Sequence, residues 1–77
     1  MSEFSNRRVI EQCATFSGQE FTVVVWHSPG YPAFVKEIRF GSRRIVECTE
    51  HHGRFYTVDE AIEFGIRTAS DMIAENR

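Results

Sequence analysis

Two groups of residues in this chain are of types that could do chemistry. The first is Cys48-x-x-His51-His52, a thiol and two imidazoles in close succession. Thiolate and imidazole are ligands for structural zinc, which takes four, and Cys13 and His27 are the residues that could complete the set. The same groups could form a nucleophilic site, with Cys48 or Cys13 attacking and His51 or His52 as base. That arrangement also needs an orienting group and an oxyanion site. No CxxC, HxxxH, GxSxG, P-loop or HExxH occurs. The plainer reading is a buried strand cysteine followed by two solvated loop histidines. The expectation is therefore no metal, no cofactor and no enzyme.

The second group mixes aromatics with arginine. Trp26, Phe34 and Phe40 could stack bases while Arg39, Arg43 and Arg44 meet phosphates. These six are the candidate contact residues for a nucleic acid or another partner. No RRM or KH signature accompanies them. Arg43 and Arg44 also begin a strand after a turn, where exposed charge is common.

Charge and length bound what these groups can be. The 77 residues carry a net charge of −2, so nothing draws the chain as a whole to nucleic acid or to an anionic membrane. Lys36, Arg39, Arg43, Arg44 and Arg54 make the middle mildly basic, and Asp59, Glu60, Glu63, Asp71 and Glu75 make the end acidic. The two halves are expected to pair across the fold. Two cysteines are too few for a secreted disulfide scaffold, and no apolar run approaches a membrane span, so a cytoplasmic protein with reduced thiols is expected. A Cys13–Cys48 bridge is left open.

The elements that must position these residues can be read from periodicity. Residues 1–8 read as a flexible polar tail and 9–77 as one α+β domain. A short strand is expected near 12–16, then a Ser17-Gly18 turn. Residues 20–27 are the strongest strand, with Phe21, Val23 and Val25 on one side and Thr22, Val24 and Trp26 on the other. Pro29-Gly30 suits a type II turn. Over residues 33–40, strict alternation puts Phe34, Lys36, Ile38 and Phe40 on one side and Ala33, Val35, Glu37 and Arg39 on the other. Gly41-Ser42 closes a hairpin onto 43–49. Short connections make sequential neighbours antiparallel, a three- to four-stranded meander.

Thr57-Val58-Asp59-Glu60 is a capping box, with Tyr56 and Ala61 placed for a hydrophobic staple. Beyond it Ala61, Ile62, Gly65, Ile66, Ala69, Met72 and Ile73 form a helical stripe about 140° wide. Small Gly65 and Ala69 would let this C-terminal helix lie close to a large sheet residue such as Trp26 or Phe34. Phe64, off the stripe, is expected at the flank against Phe55 or Tyr56.

One such helix covers one sheet face, yet residues 20–27 are apolar on both. The uncovered side would be an exposed apolar patch, the usual mark of a contact surface. A homodimer through the sheet is the leading expectation. Another protein or a single-stranded nucleic acid is one alternative, an N-terminal segment folded over the face in a self-contained monomer is another, and a membrane is not expected.

The run Phe55-Tyr56-Thr57-Val58-Asp59-Glu60-Ala61 after three turn-linked strands resembles many small bacterial and phage proteins of unknown function. The layout over residues 21–73 is similar to the N-terminal domain of HicB-type antitoxins, whose helix opens on a comparable Thr-x-Glu-Glu-Ala run. A Pro-Asp-Leu-Pro-Gly-like loop after the second strand is missing, and there is no room for an appended DNA-binding module. The resemblance therefore implies a small non-catalytic binding protein and transfers no site residue.

Overall fold

Four strands and one helix follow each other along the chain, each where the sequence changes period. A computed structural model describes residues 7–41, 44–48 and 54–75. The strands are β1 (Arg8–Phe16), β2 (Gln19–His27), β3 (Phe34–Phe40) and β4 (Arg44–Glu47), and the helix is α1 (Val58–Glu75). The strands form one antiparallel sheet in the order β1-β2-β3-β4, the α+β meander expected from the sequence. β1 is longer than the stretch near residues 12–16 suggested: its mixed pattern hid an edge strand paired with β2 along its whole length. Residues 1–6 of the expected tail lie outside the described residues, and Arg8 already belongs to β1.

Turn chemistry sets the connections. Ser17 and Gly18 both adopt positive φ (53° and 80°), the type I′ geometry that matches strand twist in a two-residue hairpin. Gly30 has φ 83°, as the third residue of a type II turn requires, and the Tyr31 N–H donates to the Ser28 carbonyl at 3.0 Å.

The helix packs on the face built from alternate residues of the strands. Row by row this face carries Ile10–Val25–Val35, Gln12–Val23–Ile38–Val46 and Ala14–Phe21–Phe40–Arg44. Val23, Val25 and Ile38 are fully buried in it. Against them α1 lays Ala61, Gly65 and Ala69, three small residues a turn apart, and Ile73, with Ile62, Ile66 and Met72 packed alongside. The close approach is to Val23, not to Trp26 or Phe34. A Cβ on Gly65 would overlap Val23 Cγ1 and stand 3.1 Å from Cγ2.

Strict alternation fails in β3. Val24 pairs with Glu37, but Val25 pairs with Val35, so Lys36 is an extra residue in the ladder. The bulge moves Phe34 to the side of Trp26 and away from Ile38 and Phe40, and it moves Val35 onto the helix side. One inserted residue inverts the facing of everything before it.

The helix entry is capped by the expected residues in an altered pattern. The Glu60 N–H donates to Thr57 Oγ1 at 3.1 Å, and that hydroxyl donates in turn to Glu60 Oε1 at 3.3 Å. The carboxylate thus binds the Thr57 hydroxyl where the capping box anticipated the Thr57 N–H. Tyr56 is 94 % exposed and makes no staple. Phe55 anchors the entry instead. It exchanges two 2.8 Å backbone hydrogen bonds with Ala33, and its ring lies 5.1 Å from that of Phe64, which therefore packs at the flank.

Candidate functional site

Among the described residues nothing is layered on the face of the sheet opposite α1, and register alone orders that open face into rows. At one end lie Val9, Trp26 and Phe34; next come Glu11, Val24, Glu37 and Glu47; then Cys13, Thr22, Arg39 and Ile45. Each row crosses the sheet because directly paired residues of an antiparallel ladder share a face.

The first row is apolar with cations above it. Trp26 and Phe34 meet edge to face, ring centroids 6.1 Å apart. The Arg7 guanidinium carbon stands 4.2 Å from the Trp26 ring centroid and Lys36 Nζ 4.8 Å from it. The bulge is what brings Lys36 here. Val9, paired to Trp26, is 54 % exposed.

The second row is acidic and is stitched by Arg39. Its Nε donates to Glu37 Oε2 at 2.6 Å, and Nη1 lies 3.6 Å from Glu11 Oε1. Glu11 is on β1 and Arg39 on β3, so the Arg39 side chain reaches across β2. Val24, between Glu11 and Glu37, is only 2 % exposed although it faces away from the helix. The hydrogen bond to Glu37 holds the Arg39 guanidinium still more firmly in its charged form, with the charges of Glu37 and Glu11 adding to it. Arg39 is bound to Glu37 of its own strand and to Glu11 of β1, not to the acidic helix that charge patterning anticipated.

The sequence-derived contact set is divided between the faces. Trp26, Phe34 and Arg39 share the open side. Phe40 is buried on the helix side against Phe21, at a centroid distance of 6.1 Å. Arg44 lies on that side too, 5.5 Å above the Phe40 ring. Arg43 lies outside the described residues, as do His51 and His52. Arg7 and Lys36 are the cations that sequence reasoning missed. Arg7 falls within the segment that reads as a tail, and the shift that lifts Lys36 to Trp26 has no signal in a two-residue period.

The thiols are separated as well. Cys13 is exposed on edge strand β1, with Sγ 3.7 Å from Thr22 Oγ1. Cys48 follows β4 at the opposite edge, buried in the helix-side core, its N–H bonded to the Lys36 carbonyl at 2.8 Å. Two strands lie between them, and both are free. Burial pushes the Cys48 thiol above its ordinary value of 9.0, which favours the neutral, unreactive form. Among the described residues no three His, Cys, Asp or Glu side chains converge as metal ligands, and no helix is long and apolar enough to cross a membrane.

The open face can therefore offer an aromatic–cation platform beside a row of carboxylates, with an apolar rim at Val9 and Ile45, the latter 57 % exposed. No family model matches the chain, and neither the curated proteins nor the solved structures supply a match.

Proposed function

We propose that this chain is a small non-catalytic interaction module that self-associates through its sheet as a homodimer. The observation that carries the reading is one-sided cover: α1 packs on a single face, and Val9, Trp26, Phe34 and Ile45 remain on the other. Apolar side chains in such an arrangement mark a contact surface. The free thiols suit a reducing compartment, in keeping with the cytoplasm. Sedimentation equilibrium from micromolar to near-millimolar concentration tests the proposal. A concentration-dependent dimer is expected, and a monomer over the whole range overturns it.

A second reading rests on Trp26 between Arg7 and Lys36: a single-stranded nucleic acid stacking a base on that ring. Glu11, Glu37 and Glu47 in the adjoining row oppose a phosphate backbone, so this reading ranks below self-association. NMR titration with mixed oligonucleotides at low salt decides it. Shifts confined to the first row of the open face support stacking, and no clustered shifts dispose of it.

A further inference from the structure

We infer that the outer edge of β1 is the dimerisation element, pairing antiparallel with β1 of a second copy about a two-fold axis at Gln12. The inference rests on the self-association just proposed and assigns it to the sheet edge, a surface distinct from the open face, whose Trp26, Phe34 and Ile45 stay uncovered in each copy.

The two edges of the sheet are treated very differently by the sequence. β4, one edge, has four residues among those described. β1, the other, runs for nine residues without proline, glycine or lysine and pairs with β2 without a bulge. Natural sheets blunt their exposed edges with short strands, proline, bulges and charges, lysine above all; β1 carries only Arg8 and Glu11 of these, and a long regular edge so lightly guarded is a template for another strand.

Backbone direction follows from the hairpin. A two-residue turn closes on a pair that exchanges both backbone hydrogen bonds, here Phe16 and Gln19. Counting back by twos, Ala14, Gln12, Ile10 and Arg8 spend their backbone groups on β2. Val9, Glu11, Cys13 and Thr15 direct theirs outward. An independent contact agrees: Gln12 Nε2 donates to the Cys13 carbonyl at 3.0 Å, so that carbonyl faces away from the β2 ladder.

The register is decided by charge and length. Opposed residues share a face, so the axis must pass through a residue position. An axis at Glu11 sets two carboxylates face to face. Axes at Ile10, Cys13 or Ala14 leave part of β1 unpaired. Gln12 is the centre of Arg8–Phe16, and an axis there uses the whole strand. It sets Glu11 against Cys13 of the second copy, Val9 against Thr15, Ile10 against Ala14 and Arg8 against Phe16. No like charges meet, two apolar pairs extend the helix-side core, and each exposed Phe16 ring gains an arginine.

Two variants test this, both read beside the wild type. Cys13→Pro removes an outward N–H at a position where an edge strand tolerates proline. Gln12→Cys in a Cys13→Ser background places thiols in a non-hydrogen-bonded pair with Cα atoms about 4.5 Å apart, within disulfide reach. The expected result is a dimeric wild type, a monomeric Cys13→Pro and rapid disulfide dimerisation of the Gln12→Cys variant. If Cys13→Pro does not fold, the cross-link alone decides. A dimeric Cys13→Pro, or a dimeric wild type in which neither the Gln12→Cys variant nor the native Cys13 cross-links, overturns the edge route while leaving self-association standing. A wild type that cross-links through Cys13 when Gln12→Cys does not overturns the register. A wild type that stays monomeric overturns both proposals.

Discussion

Val23 sits beneath Gly65 with no room for another carbon, and this one contact sets how near the helix lies to the sheet. Gly65→Ala improves helix propensity by about 1 kcal/mol. It also drives a methyl into a closed core, where overpacking costs about 1–3 kcal/mol. A net loss of stability is expected in thermal melts, relieved when Val23→Ala is combined with it; additive losses would mean the two residues do not compete for the same space. The thiols separate by environment. In the folded protein Cys13 should alkylate readily at neutral pH and Cys48 should not, which peptide mass mapping reads directly. Because the folded Cys48 thiol holds its proton above the ordinary value of 9.0, the folded state binds more protons than the unfolded one in that range. The Cys48 contribution is thus complete below about pH 9 and is lost as pH rises through the higher folded value. A Cys48→Ser variant should show a shallower alkaline decline in stability. Phe64 was legible at this scale, since a large apolar residue off the helical stripe must pack at a flank. Phe34 was not, because its side depends on a residue inserted further along the strand.

At the scale of elements, the cap and the bulge show what local patterns can and cannot convey. Thr57 and Glu60 could be paired from spacing alone, because a helix must satisfy its first N–H groups with something close in sequence. Thr57→Ala should cost about 1 kcal/mol and lower Tm by roughly 4–8 °C, and Thr57→Ser should restore most of it. An unchanged melting temperature would mean that the Glu60 carboxylate or water replaces the hydroxyl fully. The four strands and the helix were readable because turn residues stand between them. The extent of β1 was not, since an edge strand with exposed residues on both sides carries no strong period. The partner of Gly65 was misassigned for a related reason. Small helix residues announce a close approach but not which side of the sheet is approached.

For the molecule as a whole, the legible quantity was a mismatch between apolar surface and cover: one amphipathic helix and a central strand greasy on both sides. How the molecule handles that surplus was not legible. Arg39 reaches over β2 between Glu11 and Glu37 and nearly seals Val24, so the excess contracts to the row of Val9, Trp26 and Phe34 and to Ile45. Those contacts join residues far apart in the chain, and their geometry exists only once three strands are in register. If two copies associate, folding and assembly are linked by mass action, and Tm should climb with protein concentration. Calorimetry over a wide concentration series reads this. A flat Tm for the wild type would contradict the dimer, and a slope that vanishes in Cys13→Pro would assign it to the edge.

The extra residue at Lys36 makes the identity of each surface a matter of counting. Chain before it and chain after it obey opposite parities, so the aromatic platform and the buried core can be written in one short strand. Removing Lys36 would take the bulge out of the ladder and leave Val35 opposite Val25 and Phe34 opposite Trp26, so both faces would survive the deletion. For any related chain, then, a one-residue gap at this point would be tolerated by both faces, whereas a gap elsewhere in the strand with the bulge kept would exchange inside and outside for the residues beyond it.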